Sequence, residues 1–156
     1  FANADEMAQA TQRDIGIPVV TSLSSQRDAL AALGSQKIGI LQPYDDSHGE
    51  RHMAYIRKMG LEPLGWECLN TNFIKLGEMD EEQVLKAGRL LCRAHPDLDT
   101  VYMFCPHYAV INTIEALEAE FGITVMTSLQ AIVWNALRRC GVDDRIEGYG
   151  RLLRDF

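Results

Sequence analysis

The 156-residue chain lacks features that mark two large classes of protein. It has no excess of basic residues: 15 Lys and Arg stand against 22 Asp and Glu, a formal net charge of −7. An acidic surface repels the phosphates of nucleic acid. Nor does it contain an apolar run near the roughly 20 residues that span a bilayer. These absences predict a protein that binds neither nucleic acid nor a membrane.

Cysteine is sparse, and its spacing is irregular. The four cysteines form no C-x-x-C pair, which predicts reduced thiols in a cytoplasmic protein rather than a disulfide frame or a zinc site. No P-loop or G-x-G-x-x-G motif indicates a nucleotide cofactor. His48 and His52 are four residues apart, but they lack the H-E-x-x-H pattern and a third ligand. An exposed helical pair is therefore favoured over a metal site, and we expect neither cofactor nor metal.

Short β-branched runs alternate with amphipathic helical patterns along the chain. This alternation is typical of an α/β fold, in which helices flank parallel sheets. The predicted strands are residues 17–21, 37–41, 61–69, 100–105 and 123–127, and residues 70–79 are predicted as a loop. The predicted helices are 4–15, 25–33, 48–59, 81–94, 109–121 and 129–140. A glycine follows five of these helices, where a left-handed cap favours it, at Gly16, Gly34, Gly60, Gly122 and Gly141.

One segment of the chain is repeated. Residues 16–23 match residues 122–129 at six of eight positions, an offset of 106 residues, and a similar helix follows each. The alternative is that any two strand–loop–helix units of an α/β protein look alike. A duplication predicts two pseudo-symmetric, flavodoxin-like lobes, with a ligand cleft between them. Residues 35–127 would form the second lobe, and residues 1–34 with 128–156 the remainder of an incomplete first lobe.

The same repeat predicts that the working protein extends beyond Phe1. The first lobe is shorter than the second by roughly 70 residues, enough for two or three strand–helix units. Extended backwards, the offset pairs Phe1 with His107, so the counterpart of Cys105 would stand two residues before Phe1. We expect an N-terminal half-lobe with a cysteine at that position, and an intact mass several kDa above 17.5 kDa.

Cys105 is the strongest candidate for chemistry. It ends an apolar run, at the edge of the sheet where parallel strands deliver active-site residues. Pro106 suits the first turn of a helix, so Cys105 is predicted near a helix N-terminus, which would stabilise a thiolate. The alternative is a buried cysteine that acts as a small hydrophobe. The other three cysteines, on apolar faces of predicted strands or helices, are expected only to pack: Cys68, Cys92 and Cys140.

Tyr44 and His107 are two further candidates near the same edge. Tyr44 follows the predicted strand 37–41, and its hydroxyl can donate to a carboxylate, although a packed loop aromatic is the alternative. His107 lies two residues after Cys105 and could orient a substrate or favour the thiolate. Asp45 and Asp46 precede a helix and most simply cap it.

Several segments together resemble the aspartate/glutamate racemase superfamily, and within it the maleate cis-trans isomerase and arylmalonate decarboxylase branch. The segments are Thr21-Ser22, residues 38–44, Phe104-Cys105, Thr127-Ser128-Leu129-Gln130-Ala131 with Trp134, and the closing residues 148–153. The resemblance covers nearly all of this chain, but only about the C-terminal two-thirds of a typical member.

The resemblance implies a cofactor-independent enzyme with its cleft between two α/β lobes. Racemases of the superfamily use a cysteine from each lobe, maleate isomerases add a cysteine to the double bond, and the decarboxylases protonate an enediolate with a single cysteine. By position, Cys105 matches the second-lobe cysteine and Tyr44 the tyrosine that binds a substrate carboxylate. Asn72 lies near a carboxylate-binding asparagine of the isomerases.

One departure from the branch concerns Pro106. Members usually follow the cysteine with a residue whose backbone N–H helps hold a substrate carboxylate, and proline has no N–H. Either His107 and Tyr108 supply the donors, or the substrate sits differently. We count Pro106 and His107 with Tyr44 and Asn72 as substrate-binding candidates.

The leading hypothesis is a cysteine-dependent isomerase or racemase of a small carboxylic acid. The alternatives are a malonate-type decarboxylase, with Cys105 as proton donor, and a protein that binds a small acid without catalysis. Apolar positions on the predicted helix 129–140 also favour a homodimer or higher homo-oligomer.

Overall fold

A computed structural model describes residues 2–108 and 110–156. The described residues form a single four-stranded parallel sheet flanked by helices, which confirms the predicted α/β class. The strands are β1 (Lys37–Gln42), β2 (Glu62–Cys68), β3 (Thr100–Met103) and β4 (Thr124–Thr127), in the order β2-β1-β3-β4. The helices are α1 (Ala2–Ile15), α2 (Ser22–Ala32), α3 (Gly49–Lys58), α4 (Glu81–Ala94), α5 (Ile111–Phe121), α6 (Ser128–Arg139) and α7 (Arg151–Asp155).

The two central strands, β1 and β3, carry apolar side chains to both faces of the sheet. Ile40 and Tyr102 lie in a core on one face, which α2, α3 and α6 cover. Leu41 and Met103 lie in the core on the opposite face, beneath α4 and α5. Alternation along a strand explains this division, because successive side chains point to opposite faces. Strands buried on both faces are the usual result of parallel pairing with helical crossovers.

The predicted strand at residues 17–21 is wrong. This segment runs between α1 and α2 and is not part of the four-stranded sheet. The Val19 N–H donates instead to Gln12 Oε1 at 3.2 Å, and Pro18 has no N–H to donate. β-Branched residues favour an extended backbone, but a strand forms only where a neighbouring strand accepts its hydrogen bonds.

Other boundaries shift because side chains cap the helices. Thr21 accepts from the Ser24 N–H and starts α2 at Ser22, three residues before the predicted start. The predicted loop 70–79 contains a 3₁₀ turn, Phe73–Glu78. The predicted helix 109–121 corresponds to α5, and Ala109 lies outside the described residues, as does Phe1. The predicted glycine caps are confirmed in their backbone: all five glycines have φ between +68° and +79°.

The repeated segment has the same local geometry in both copies. Thr21 and Thr127 each form a reciprocal capping box with the third residue of the helix that follows. The two helices, α2 and α6, also pack against each other, and Asn135 donates to Ser25 Oγ at 3.3 Å and to Asp28 Oδ2 at 3.2 Å. The division into two lobes stays a prediction.

Within the described ranges, no helix combines the length and the apolarity that crossing a bilayer demands.

The capping box at Thr127 gives a test of this geometry. Thr127→Ala removes the acceptor for the Gln130 N–H, so the free energy of unfolding should fall by about 1 kcal/mol. Thr127→Ser keeps the hydroxyl and should lose less than half of that amount. Urea denaturation at equilibrium measures both. Equal stability of Thr127→Ala and the wild type would contradict the cap.

Candidate functional site

The candidate site lies at the carboxyl ends of β1 and β3. These strands are neighbours in the sheet, and Leu41 of β1 is in register with Met103 of β3. In the sheet, β1 has β2, the next strand in the chain, on one side and β3 on the other, so the direction of the chain connections reverses at β1. Ligands of open α/β sheets bind in the crevice that such a reversal opens. Tyr44 and Cys105 follow the two strands into this crevice.

Cys105 is buried and adopts an unusual backbone conformation. The residue is 8% exposed, and its φ is +81°, in the left-handed region that non-glycine residues rarely adopt. The preceding N–H, of Phe104, donates to the Leu41 carbonyl oxygen at 3.0 Å and ties this loop to β1. Strained conformations of this kind cost on the order of 1–3 kcal/mol and cluster at functional sites.

The predicted position of Cys105 at a helix N-terminus is wrong. Helix α5 begins only at Ile111, and its N-cap residue is Val110. A loop therefore separates the thiol from the helix, and the electrostatic effect of a helix end, which fades beyond the first turn, does not account for a thiolate here.

Tyr44 and His107 both lie beside Cys105. The pKa of Tyr44 is raised to about 12, chiefly by burial and also by its interaction with Cys105. Tyr44 therefore stays a protonated donor at any ordinary assay pH. His107 Nδ1 lies 3.7 Å from Cys105 Sγ.

Tyr108 closes the site from within the protein. It is buried, and burial raises the pKa of its hydroxyl above the ordinary value, with smaller contributions from Cys105 and Tyr44. Its hydroxyl points towards the Leu41 carbonyl oxygen at 3.5 Å, at the limit of a hydrogen bond.

The 3₁₀ turn Phe73–Glu78 lies against the Cys105 loop. The rings of Phe73 and His107 meet edge to face, with their centroids 5.6 Å apart. Asn72 begins this turn, and its Oδ1 accepts from the N–H groups of Ile74 and Lys75 at 3.1 Å. The cap occupies the oxygen of Asn72, so its amide nitrogen is the atom suited to a substrate carboxylate. Pro106, which lies between Cys105 and His107 in the chain, is half-buried, and its role in binding stays a prediction.

Two residues at this edge were not among the predicted site residues. Gln42, at the end of β1, is fully buried, and its amide contacts three other groups. One of them is His52, which was predicted to be exposed but is half-buried. The pKa of His52 is lowered to about 4, chiefly by burial and also by the charges of His48 and Arg51. A polar residue that directly follows the apolar run of residues 38–41 is the sequence signal that marks Gln42.

The remaining cysteines differ from Cys105. Cys92 is buried in α4, where burial raises the pKa of its thiol to about 11. Burial also raises the pKa of Cys68, which accepts from Gln42 Nε2 at 3.0 Å. Cys140 is exposed, which corrects its predicted position on an apolar face, because it follows the last turn of α6 as its C-cap. Among residues 2–108 and 110–156, no group of three or more metal-binding side chains occurs.

An apolar groove lies beside the site rather than in it. The groove, with a volume of about 700 Å³, runs between α5 and α6 and is lined by Tyr108, Leu129 and Val133, among others. Cys105, Tyr44 and His107 do not line it. Reaction chemistry requires a reactive group, so we assign the candidate site to the Cys105 crevice.

A model of the arylmalonate decarboxylase family matches residues 2–153. The chain belongs to the arylmalonate decarboxylase family. It is 26% identical to the arylmalonate decarboxylase of Bordetella bronchiseptica over 92% of this chain and 60% of that protein. It is 29% identical to the maleate isomerase of Nocardia farcinica over 87% of this chain and 54% of that protein. The predicted family is thus confirmed, and its members include a decarboxylase and isomerases.

Solved structures agree with the family assignment. A crystal structure of arylmalonate decarboxylase superimposes with a TM-score of 0.88 and 26% identity, covering 98% of this chain and 68% of that one. The Nocardia farcinica maleate cis-trans isomerase bound to TRIS gives a TM-score of 0.81 and 28% identity, covering 88% and 56%. The chain therefore spans a little over half to about two-thirds of the length of these relatives.

The left-handed backbone at Cys105 is open to direct test. Cys105→Gly should be more stable than Cys105→Ala by about 1 kcal/mol, because only glycine adopts this φ without strain. Cys92, inside α4, is the matched control, and there the order should reverse, since glycine costs about 1 kcal/mol relative to alanine in a helix. Urea denaturation of all four variants measures the two differences. Alanine as stable as glycine at position 105 would contradict the strained conformation.

Proposed function

We propose that this protein is a cofactor-independent, cysteine-dependent isomerase or racemase of a small carboxylic acid, similar to a maleate isomerase. The observation that carries the proposal is the Cys105 thiol, held in a strained loop beside Tyr44 and the His107 imidazole. A thiol with a proton acceptor and a hydrogen-bond donor beside it is suited to nucleophilic attack.

In the isomerase reaction, the Cys105 thiolate would add to one carbon of the double bond of a cis dicarboxylate. The former double bond is then single, so the adduct rotates about it. Expulsion of the thiolate from the rotated adduct restores the double bond in the trans form. The proton that leaves the thiol has an acceptor in His107, whose Nδ1 lies 3.7 Å away.

The substrate carboxylates require donors, and the site offers neutral ones. The Tyr44 hydroxyl is protonated across the ordinary pH range and is placed beside the reacting sulfur. The amide nitrogen of Asn72 is a second donor, on the turn that packs against His107 through Phe73. Neutral donors hold a carboxylate without forming a tight ion pair, which suits a product that must leave.

A malonate-type decarboxylase is the second candidate, and the family model that matches residues 2–153 favours it. In that reaction, loss of CO₂ from a substituted malonate leaves an enediolate. Cys105 would donate its proton to the enediolate carbon, and the bound carboxylate would use the same donors. The two reactions share a thiol and a carboxylate site and differ in whether carbon–carbon bond cleavage precedes the step at Cys105.

The four thiols are free, which supports the proposal of a reducing, cytoplasmic setting. The side chains of Leu129 and Val133 on α6 are 44% and 42% exposed, and a homodimer or higher homo-oligomer remains a proposal.

Product analysis distinguishes the candidate reactions. The protein should convert maleate to fumarate, and Cys105→Ser should lower the rate by a factor of at least about 100, since a hydroxyl is a far weaker acid and nucleophile than a thiol. Phenylmalonate with CO₂ detection tests the decarboxylase, and loss of optical rotation of aspartate tests the racemase. No turnover of any of the three, combined with thermal stabilisation by a small acid, would instead support a binding protein without catalysis.

Tyr44→Phe tests the proposed carboxylate donor. Removing the hydroxyl should raise KM, and it should lower kcat/KM by a factor of about 10 to 100, the value of one charge-assisted hydrogen bond. Tyr149→Phe, at an exposed tyrosine of the neighbouring groove, is the matched control and should leave the kinetics unchanged. Steady-state kinetics with the acid that is turned over measure both. Wild-type kinetics in Tyr44→Phe would leave Tyr44 with a packing role only.

A further inference from the structure

Gln42 joins the loop that carries Tyr44 to β2 and to α3. Its Nε2 donates to the Asp45 carbonyl oxygen at 3.2 Å, in the loop that carries Tyr44, and to Cys68 Sγ at 3.0 Å. Its Oε1 accepts from His52 Nδ1. Both donors and the acceptor of this fully buried amide are therefore used, which fixes the orientation of the amide.

The hydrogen bond from His52 fixes the imidazole ring as well. An amide oxygen only accepts, so Nδ1 carries the proton of the ring. The ring, in turn, stacks on Phe104 with the centroids 4.1 Å apart and an angle of 9° between the planes. Because the pKa of His52 is lowered to about 4, the ring stays neutral and the stack is unchanged over the pH range in which enzymes are assayed.

Phe104 immediately precedes the strained residue. Its ring packs against those of both His52 and Tyr102, and each centroid lies 4.1 Å from that of Phe104. Tyr55 meets it edge-on at 6.0 Å. A backbone in a sparsely populated conformation persists only where the surrounding structure overdetermines it. The fixed ring of Phe104 supplies that constraint on the N-terminal side of Cys105.

We propose that Gln42 and His52 are positioning residues, which through Phe104 hold the Cys105 thiol in its reactive placement relative to Tyr44. The proposal rests on the proposed function, because it assumes that Cys105 is the reacting group. Neither Gln42 nor His52 contacts the thiol, so their effect passes through the stacked ring and through the Asp45 carbonyl.

Three variants remove either the hydrogen bond between Gln42 and His52 or the stack of His52 on Phe104. Gln42→Met keeps the length of the side chain and removes all three hydrogen bonds. His52→Phe keeps a ring over Phe104 but loses the bond, whereas His52→Asn keeps a donor near the position of Nδ1 and loses the ring. Two controls accompany them: Gly122→Ala, which strains the cap of α5 at the opposite edge of the sheet, and His95→Asn, at the end of α4.

Two readouts are measured on every folded variant. With the acid that is turned over, kcat should fall by roughly 10- to 100-fold in the three variants at Gln42 and His52, which we call the clamp variants. A displacement of a reacting group by about 1 Å lowers the rate by a factor of that size. The double variant Gln42→Met with His52→Phe should fall no further than either single variant, as expected of residues that act as one unit. The two control variants should keep the wild-type kcat, whether or not their thermal stability falls.

The second readout does not depend on turnover. Iodoacetamide alkylation of native protein, resolved by residue with mass spectrometry, should change in rate at Cys105 by roughly 10-fold in the clamp variants, and at Cys140 not at all. If no acid is turned over, the proposed function fails, but this measurement still tests whether Gln42 and His52 position the Cys105 thiol. The proposal would be overturned if the clamp variants only lost thermal stability and their Cys105 were alkylated at the rate found in Gly122→Ala.

Discussion

The parallel pairing of β1 with β3 is the constraint on which the candidate site depends. The register that sets Leu41 beside Met103 also brings the ends of the two strands level, so the loops that follow leave the sheet side by side. Both strands are buried on both faces, and a slip of one residue would turn each apolar side chain to the wrong core. The packing of the whole sheet thus determines the position of Tyr44 relative to Cys105.

The surroundings of the thiol are polar but carry little fixed charge. The side chains of Tyr44, His107 and Tyr108 interact with Cys105, and the hydroxyls of Tyr44 and Tyr108 stay protonated because burial disfavours their anions. In the proposed reaction, negative charge that develops on sulfur or on a substrate would meet the protonated Tyr44 hydroxyl. Stabilisation is then greatest when the charge appears during the reaction, which is the condition for lowering a barrier.

The sequence alone predicted the parts of the fold that depend on local pattern. Strands β1, β3 and β4, the glycine caps and the approach of Tyr44 to Cys105 all follow from apolar runs that end in turn residues. The errors have a common physical origin. The segment 17–21 has strand propensity but no neighbouring strand in the described sheet, and Pro106 has the preference of a first helical residue but precedes a loop. Gln42 and His52 meet only through tertiary structure, so no spacing in the sequence indicates their contact.

The packing of α2 against α6 has a consequence for the order in which the protein folds. Ser25 and Asn135, which are hydrogen-bonded across this contact, are 110 residues apart in the chain. Closing so long a loop costs chain entropy that only the contacts themselves repay. The sheet lies between them in sequence, and its strands bring α6 back to the beginning of the chain. We therefore expect the contact between the two copies of the repeat to form late in folding and to couple the stability of the first and last thirds of the chain.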